Sequence, residues 1–171
     1  MNKEKVCCFI GHRKINATEE LKAILCEIIE KLITDENVRV FLFGSRSQFD
    51  DLCIETVTKL KEKYPNVKRI YVRAEYPHIN ENYRLYLLES YDDTYFAEKL
   101  LSAGASSYVE RNADMIDKSD ICIFYYDENY LPPKRNTKSA YQSKSGTKIA
   151  YAYAKAKKKR IVNIKEVITT K

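Results

Sequence analysis

Glycine, histidine and tryptophan are scarce in this sequence: its 171 residues include four glycines, two histidines and no tryptophan. No His-x-x-x-His or Cys-His spacing occurs, so we expect neither a structural zinc nor a catalytic metal site. The five cysteines are an odd number and form no Cys-x-x-Cys pair, which predicts buried free thiols. No metal and no cofactor are therefore predicted.

Long apolar runs are also absent. No segment approaches the roughly 18 apolar residues of a membrane span. The first residues, MNKEKVCCFIGH, lack the apolar segment and cleavage site of a signal peptide. We therefore expect a cytoplasmic protein with no membrane partner. A length of 171 residues with 44% hydrophobic composition predicts one domain, residues 1–171. The net charge of +6 favours an anionic partner but cannot separate a nucleotide from a nucleic acid.

Short apolar runs rich in β-branched or aromatic residues alternate with segments of helical periodicity. The apolar runs span residues 6–10, 38–43, 67–72, 121–126 and 160–164. The helical segments span residues 17–33, 49–64, 107–119 and 147–159, with Thr18 as the expected cap of the first. This alternation predicts an α/β fold with a parallel sheet covered on both faces. Residues 74–104 are less regular, and we expect an excursion over the carboxyl edge of the sheet followed by a short helix through 94–101.

Three of the four glycines follow predicted strands or open a predicted helix. Gly11 lies in FIGHRK, Gly44 in LFGSRS and Gly146 in SKSGTKIA, whereas Gly104 is interpreted as a helix stop. Ligands of parallel sheets bind beyond the carboxyl ends of the strands, where glycine allows close approach and a helix start offers unpaired N–H groups. The pattern predicts an anion site at this edge, with residues 44–47 as a phosphate or ribose cradle.

Polar and aromatic side chains accompany these glycines. Arg13 and Arg46 can form paired hydrogen bonds with a phosphate or carboxylate, the alternative being solvated loop arginines. His12 can donate to a ligand or act as a base, or take no part. Tyr125 and Tyr126 end the fourth apolar run, and only one of them can face the ligand side and stack on a base.

The polar segment 126–146 is longer than an ordinary connection, which favours a lid or mobile binding loop over an insertion without a role. Its basic residues are Lys134, Arg135, Lys138 and Lys144.

The sequence resembles the SLOG superfamily, named for Smf/DprA and the LOG phosphoribohydrolases, and within it the YpsA-like branch of bacterial proteins. Four stretches carry the resemblance: FIGHRK, FGSRSQFDDLCIETVTKLKEKYP, YVERNADMIDKSDICIFYYDE and SGTKIAYAYAKAKKKRIVNI. It covers roughly residues 5–165 and leaves 74–104 poorly matched. The resemblance implies a single Rossmann-like three-layer α/β domain with a mostly parallel sheet of about five or more strands, and association into a homo-oligomer.

The same resemblance implies roles for individual residues. Gly146 and Thr147 would hold phosphate, and ERNADM places Arg111 where the LOG enzymes carry a functional arginine. The LOG motif Gly-Gly-x-Gly-Thr-x-x-Glu ends in a catalytic glutamate, but Ala150 occupies that position here, so the catalytic residues are unknown and an enzyme is disfavoured. The candidate binding residues are Gly11, His12, Arg13, Gly44, Ser45, Arg46, Arg111, Tyr126, Ser145, Gly146 and Thr147.

Three functions stay open. The first is binding of a nucleotide or a nucleotide-derived, NAD-related signalling molecule. The second is a LOG-like hydrolase of an N-glycosidic bond, in which Asp50, Glu110 or Asp127 would replace the missing glutamate. The third is a DprA-like DNA-binding protein, suggested by KAKKKR at residues 155–160. That run lies at the far end of the last predicted helix, so nucleic acid is disfavoured as a partner.

Overall fold

A computed structural model describes residues 3–74, 81–97, 105–131 and 145–170, and within these ranges strands alternate with helices. The strands are β1 (Lys5–Gly11), β2 (Val38–Phe43), β3 (Lys68–Arg73), β4 (Asp93–Phe96), β5 (Ile121–Tyr125) and β6 (Arg160–Asn163). The helices are α1 (Glu19–Glu36), α2 (Gln48–Lys63), α3 (Glu81–Leu88), α4 (Ala105–Lys118), α5 (Gly146–Ala156) and α6 (Ile164–Thr169). None of the helices within these ranges has the length and apolar composition needed to span a membrane.

The six strands form one sheet in the order β4-β3-β2-β1-β5-β6, and all neighbouring strands are parallel. The chain builds outward from β1 to β4 and then returns to place β5 on the other side of β1. The direction of the strand order therefore reverses between β1 and β5, and such a reversal opens a crevice at the carboxyl ends of the strands. The predicted Rossmann-like three-layer α/β fold is confirmed.

The two faces of the sheet carry separate hydrophobic cores because successive strand side chains point to opposite faces. On β1, Cys7 and Phe9 pack into the core that contains residues of α1 and α2. Cys8 and Ile10 pack into the core that contains residues of α4 and α5. All five cysteines are free thiols, and four of them are buried, as predicted.

Side-chain caps fix the starts of four of the described helices, and that of α6 is Asn163. The Thr18 hydroxyl accepts a hydrogen bond from the Leu21 N–H at 3.1 Å, which confirms the predicted cap of α1. Ser47 caps α2, and Ser145 caps α5. Since α2 and α5 both start at the carboxyl edge of the sheet, these caps set the positions of two helix ends at the crevice.

The predicted helix through 94–101 is wrong, because β4 occupies its first residues. Thr94 of β4 pairs with Tyr71 of β3, and its hydroxyl donates to the Tyr71 carbonyl at 2.8 Å. The segment is too short to show clear periodicity, and its hydrogen bonds to β3 make it a strand. The predicted stop at Gly104 and the basic residues of the predicted lid lie outside the described residues.

Candidate functional site

A cleft of about 340 Å³ lies at the carboxyl edge of the sheet, beside the reversal between β1 and β5. The ends of β1, β2 and β3 form one side, and the first turns of α4 and α5 form the other. The lining residues are Phe9, Ile10, Gly11, Arg13, Gly44, Ser45, Arg46, Tyr71, Tyr108, Arg111, Asn112, Gly146 and Thr147. The structure thus brings together three glycines that are widely separated in the sequence.

The cleft has a marked excess of positive charge. Arg13, Arg46 and Arg111 all line it, and none of the described lining residues carries a carboxylate. Arg13 and Arg46 are exposed, whereas Arg111 is only 5% exposed. A concave surface lined by charges of one sign raises the local concentration of oppositely charged ligands, so this geometry favours an anion.

Arg111 is held at the cleft by close packing against Gly44. A Cβ atom on Gly44 would lie 2.8 Å from Arg111 Nε and 2.5 Å from Met115 Sδ. The Arg111 guanidinium donates to Asn112 Oδ1 from Nε at 3.3 Å and from an Nη atom at 3.2 Å, and it lies 5.3 Å from the Tyr108 ring centroid. Gly44 is therefore required by the approach of α4 to the end of β2.

The turn after β2 is bound by a carboxylate of this protein. Asp50 Oδ2, in the first turn of α2, accepts from the Gly44 N–H at 3.3 Å and from the Ser45 N–H at 2.8 Å. The Ser45 hydroxyl donates to the Ser47 hydroxyl at 3.1 Å. The Ser47 N–H donates to the Ser45 hydroxyl at 3.3 Å, so three backbone donors of the expected cradle are already paired, and an anion at this turn would meet the Arg46 side chain instead.

Asp50 is a buried carboxylate beneath the arginines. It is 1% exposed, and burial raises its pKa from 3.8 to about 6. Hydrogen bonds from the turn and the positive charge of Arg111 oppose this rise. Oδ1 is buried with no hydrogen-bond partner among the described residues. Asp50 does not line the cleft, so its influence on a ligand there is indirect.

Gly11 and Gly146 differ in what surrounds them. A Cβ on Gly11 would lie 2.3 Å from the Phe49 ring, so packing of α2 requires that glycine. A Cβ on Gly146 would meet no atom of the described residues within 4 Å. Ser145 Oγ accepts from the Thr147 N–H at 3.2 Å, which fixes the first turn of α5 beside this open space. No protein packing among the described residues accounts for a glycine at position 146.

Residues 10–167 match the family model YpsA, described as the YspA SLOG family. The chain belongs to the YspA SLOG family. The match runs from the end of β1 into α6 and confirms the resemblance stated from the motifs. No curated protein matches the chain.

Of the eleven candidate residues in this YspA SLOG protein, eight line the cleft: Gly11, Arg13, Gly44, Ser45, Arg46, Arg111, Gly146 and Thr147. Three do not line it: His12, Tyr126 and Ser145. Ser145 acts as the cap of α5.

His12 is buried behind the cleft and fastens the segment that follows β5. Its Nε2 accepts from the Asp127 N–H at 2.9 Å, and its ring stacks on Tyr130 with centroids 3.9 Å apart. Burial lowers the pKa of His12, because the charged imidazolium loses its solvation there. The neutral ring accepts at Nε2, so its described contacts are structural.

Tyr125 and Tyr126 lie on opposite faces of the sheet, as alternation predicts, but neither lines the cleft. Tyr125 packs near Phe49, with ring centroids 5.8 Å apart, on the α2 side. Tyr126 stacks on Tyr151 of α5 at 4.5 Å. Neither tyrosine is therefore positioned to stack on a ligand in the cleft, and other aromatic residues are better candidates.

Tyr71, Tyr108 and Asn112 line the cleft although sequence reasoning did not select them. Tyr108 precedes Arg111 by three residues, and this helical spacing puts both on one face of α4. The helical periodicity around Arg111 could therefore have identified Tyr108 from the sequence. Tyr71 lies in β3 near the carboxyl edge, where the rule for ligand sites in parallel sheets also points.

The acids considered for hydrolysis in this YspA SLOG protein are not part of the cleft lining. Asp50, Glu110 and Asp127 are absent from its described lining. Ala150, at the position of the LOG glutamate, is buried in the core on the α5 face of the sheet. No group of three or more His, Cys, Asp or Glu side chains suited to a metal ion occurs in the described ranges.

The basic run 155–160 lies at the end of α5 opposite the cleft, and two of its members bind the protein itself. Lys159 Nζ donates to the Ser119 carbonyl at 2.9 Å. Arg160 forms an ion pair with Glu36. These contacts tie the end of α5 and β6 to neighbouring elements, which gives part of the run a structural role.

Proposed function

We propose that this YspA SLOG protein is a cytoplasmic binding protein for a nucleotide or nucleotide-derived molecule, held in the cleft by its phosphate. The observation that carries the proposal is the convergence of three arginines and the start of α5 on a cleft whose described lining has no carboxylate. Guanidinium groups form strong, often paired hydrogen bonds with phosphate oxygens.

The start of α5 is the best place for the phosphate. The helix has 11 residues, and the start of such a helix carries partial positive charge, although Ser145 Oγ already accepts from the Thr147 and Lys148 N–H groups of its first turn. The described residues leave space open at Gly146, and Thr147 supplies a hydroxyl group on the cleft wall. Arg111 brings a full positive charge to the same cleft from α4.

The remainder of the cleft suits more than an inorganic anion. Its volume of about 340 Å³ lies at the lower end of the range for small-molecule sites. Tyr71 and Tyr108 add aromatic surface to the lining. A ligand with an anionic end and a flat or apolar end fits this mixture of charges and rings, and nucleotides have that composition.

Binding is favoured over hydrolysis because the cleft lining offers no described acid or base of the kind that glycosidic cleavage needs. Asp50 has a suitably raised pKa but is buried beneath the turn after β2. A hydrolase would have to expose Asp50 or use another group, whereas binding uses the arrangement as it stands.

Native mass spectrometry tests the proposal with NAD, ADP-ribose, AMP and the other nucleoside monophosphates. We expect at least one to be retained by the wild type and lost, by tenfold or more in affinity, in Gly146→Asp. The new carboxylate would extend into open space, and an acid in the first turn of a helix is compatible with folding.

Gly146→Asn is the matched control, since it has nearly the same shape without the charge and should lose less affinity. Retention of no nucleotide by the wild type contradicts the proposal, as does equal binding by Gly146→Asp. Release of free base during the incubation would identify the protein as a hydrolase instead.

A further inference from the structure

Arg46 lies against two tyrosines of α3. Its Cζ atom is 5.5 Å from the ring centroid of Tyr83 and 5.5 Å from that of Tyr86. An Nη atom of Arg46 donates to the Tyr83 hydroxyl at 3.1 Å, and the two tyrosine rings have centroids 6.3 Å apart with an interplanar angle of 25°. We call Arg46, Tyr83 and Tyr86 the arginine shelf.

The arginine shelf borders the cleft through Arg46, whereas Tyr83 and Tyr86 are not among the described lining residues. Arg46 is exposed and lines the cleft, and Tyr86 is 56% exposed. A guanidinium group supported by aromatic rings is held as a flat cationic surface, and such a surface stacks well on another π system. The shelf thus combines a fixed plane with open aromatic area at the side of an anion-binding cleft.

Arg46 of the shelf and Gly146 at the start of α5 line the same cleft. Arg46 follows β2, and α5 begins in the segment after β5, with β1 between these two strands. Two strand spacings amount to about 10 Å. A nucleotide whose phosphate lies at Gly146 therefore extends its base toward Arg46, across the ends of β1 and β2.

We propose that the arginine shelf is a subsite for an aromatic base, stacked against Arg46 and Tyr86. This inference rests on the proposed function, because it takes the start of α5 as the phosphate end of the ligand. Tyr108 does not serve as the base platform, since it lies beside Arg111 of α4, where the phosphate and sugar are expected. The shelf makes the protein select nucleotides over base-free sugar phosphates.

The test compares the affinities of AMP, GMP, CMP and UMP with that of ribose 5-phosphate, by calorimetry or native mass spectrometry. We expect at least one nucleotide to bind the wild type about tenfold more tightly than ribose 5-phosphate. Tyr86→Ala should remove most of that preference and leave ribose 5-phosphate binding unchanged. Arg46→Lys keeps the charge, but it should also reduce the preference because the planar group is lost.

Leu85→Ala is the matched control, because Leu85 is on the same helix and is 53% exposed. It should bind every probe as the wild type does. If ribose 5-phosphate and all four nucleotides bound equally, the arginine shelf would not be a base subsite. The proposed anion site would still be supported. Loss of the preference in Tyr108→Ala with no loss in Tyr86→Ala would also overturn it. Failure of all these probes, and of NAD and ADP-ribose, to bind would instead refute the proposed function and with it the shelf.

Discussion

Asp50→Asn should change how the stability of the folded protein depends on pH. Asp50 is buried, with one oxygen bonded to the Gly44 and Ser45 N–H groups and the other without a partner among the described residues. An asparagine can place its oxygen in the same two hydrogen bonds, but it cannot ionise. The substitution therefore removes a buried negative charge while it preserves the shape of the turn.

The size of the effect follows from the raised pKa of Asp50, about 6 in the folded protein against an ordinary 3.8. Each tenfold difference in proton affinity corresponds to about 1.4 kcal/mol, so the ionised carboxylate costs the folded state about 3 kcal/mol. Because the folded state holds this proton more tightly than the unfolded chain, the Asp50 contribution to stability falls as pH rises from about 4 through about 6. Asn has no such dependence.

Urea unfolding at about pH 4.5 and about pH 7.5 measures this difference. The free energy of unfolding of Asp50→Asn, relative to the wild type, should rise by about 2 kcal/mol between the two conditions. If the side-chain amide N–H of the new asparagine lacks a partner, its cost in stability is the same at both pH values and cancels from the comparison. Asp35→Asn, which removes one charge from an exposed site in α1, should follow the wild type. If the free energy of unfolding of Asp50→Asn relative to the wild type stayed constant, or fell as pH rises, the reasoning would be refuted.

Two further substitutions test the packing around the cleft. Gly44→Ala should lower the free energy of unfolding by about 1–3 kcal/mol, because its Cβ would lie 2.5 Å from Met115 Sδ. Gly146→Ala, with no atom of the described residues within 4 Å of the new Cβ, is the control, and equal melting temperatures for the two variants would contradict this account. Ser47→Ala removes the cap of α2 and should cost about 1 kcal/mol in urea unfolding, whereas an unchanged midpoint would show that the cap contributes nothing.

Most of the fold was predictable because the central strands are buried on both faces and therefore appear as continuous apolar runs. β5, whose residues are all buried, is the clearest case. β4 was not predictable, because Asp93–Phe96 is a four-residue edge strand that begins with an acid. Only its pairing with β3 identifies it, and a pairing between distant segments leaves no mark on local periodicity.

The site was predictable in position and less so in detail. Glycine after a strand indicates the carboxyl edge, but the sequence cannot tell whether the missing side chain makes room for protein or for ligand. At Gly11 the room is used by Phe49 and at Gly44 by Arg111, while at Gly146 it stays open. The use of the turn amides by Asp50 was equally hidden, because it depends on how α2 folds back onto β2.

The pairing of β1 with β5 has a consequence for how this chain folds. Val6 of β1 donates to Asp120 Oδ2, just before β5, across 114 residues of sequence. Such distant contacts form only after a large loss of chain entropy, so they are expected late in folding and break early in unfolding. The cleft forms only when β1 and β5 pair, and neither half of the chain alone contains both strands. An occupant of the cleft would therefore act chiefly on the lifetime of the native state, slowing its unfolding and leaving the rate of folding almost unchanged.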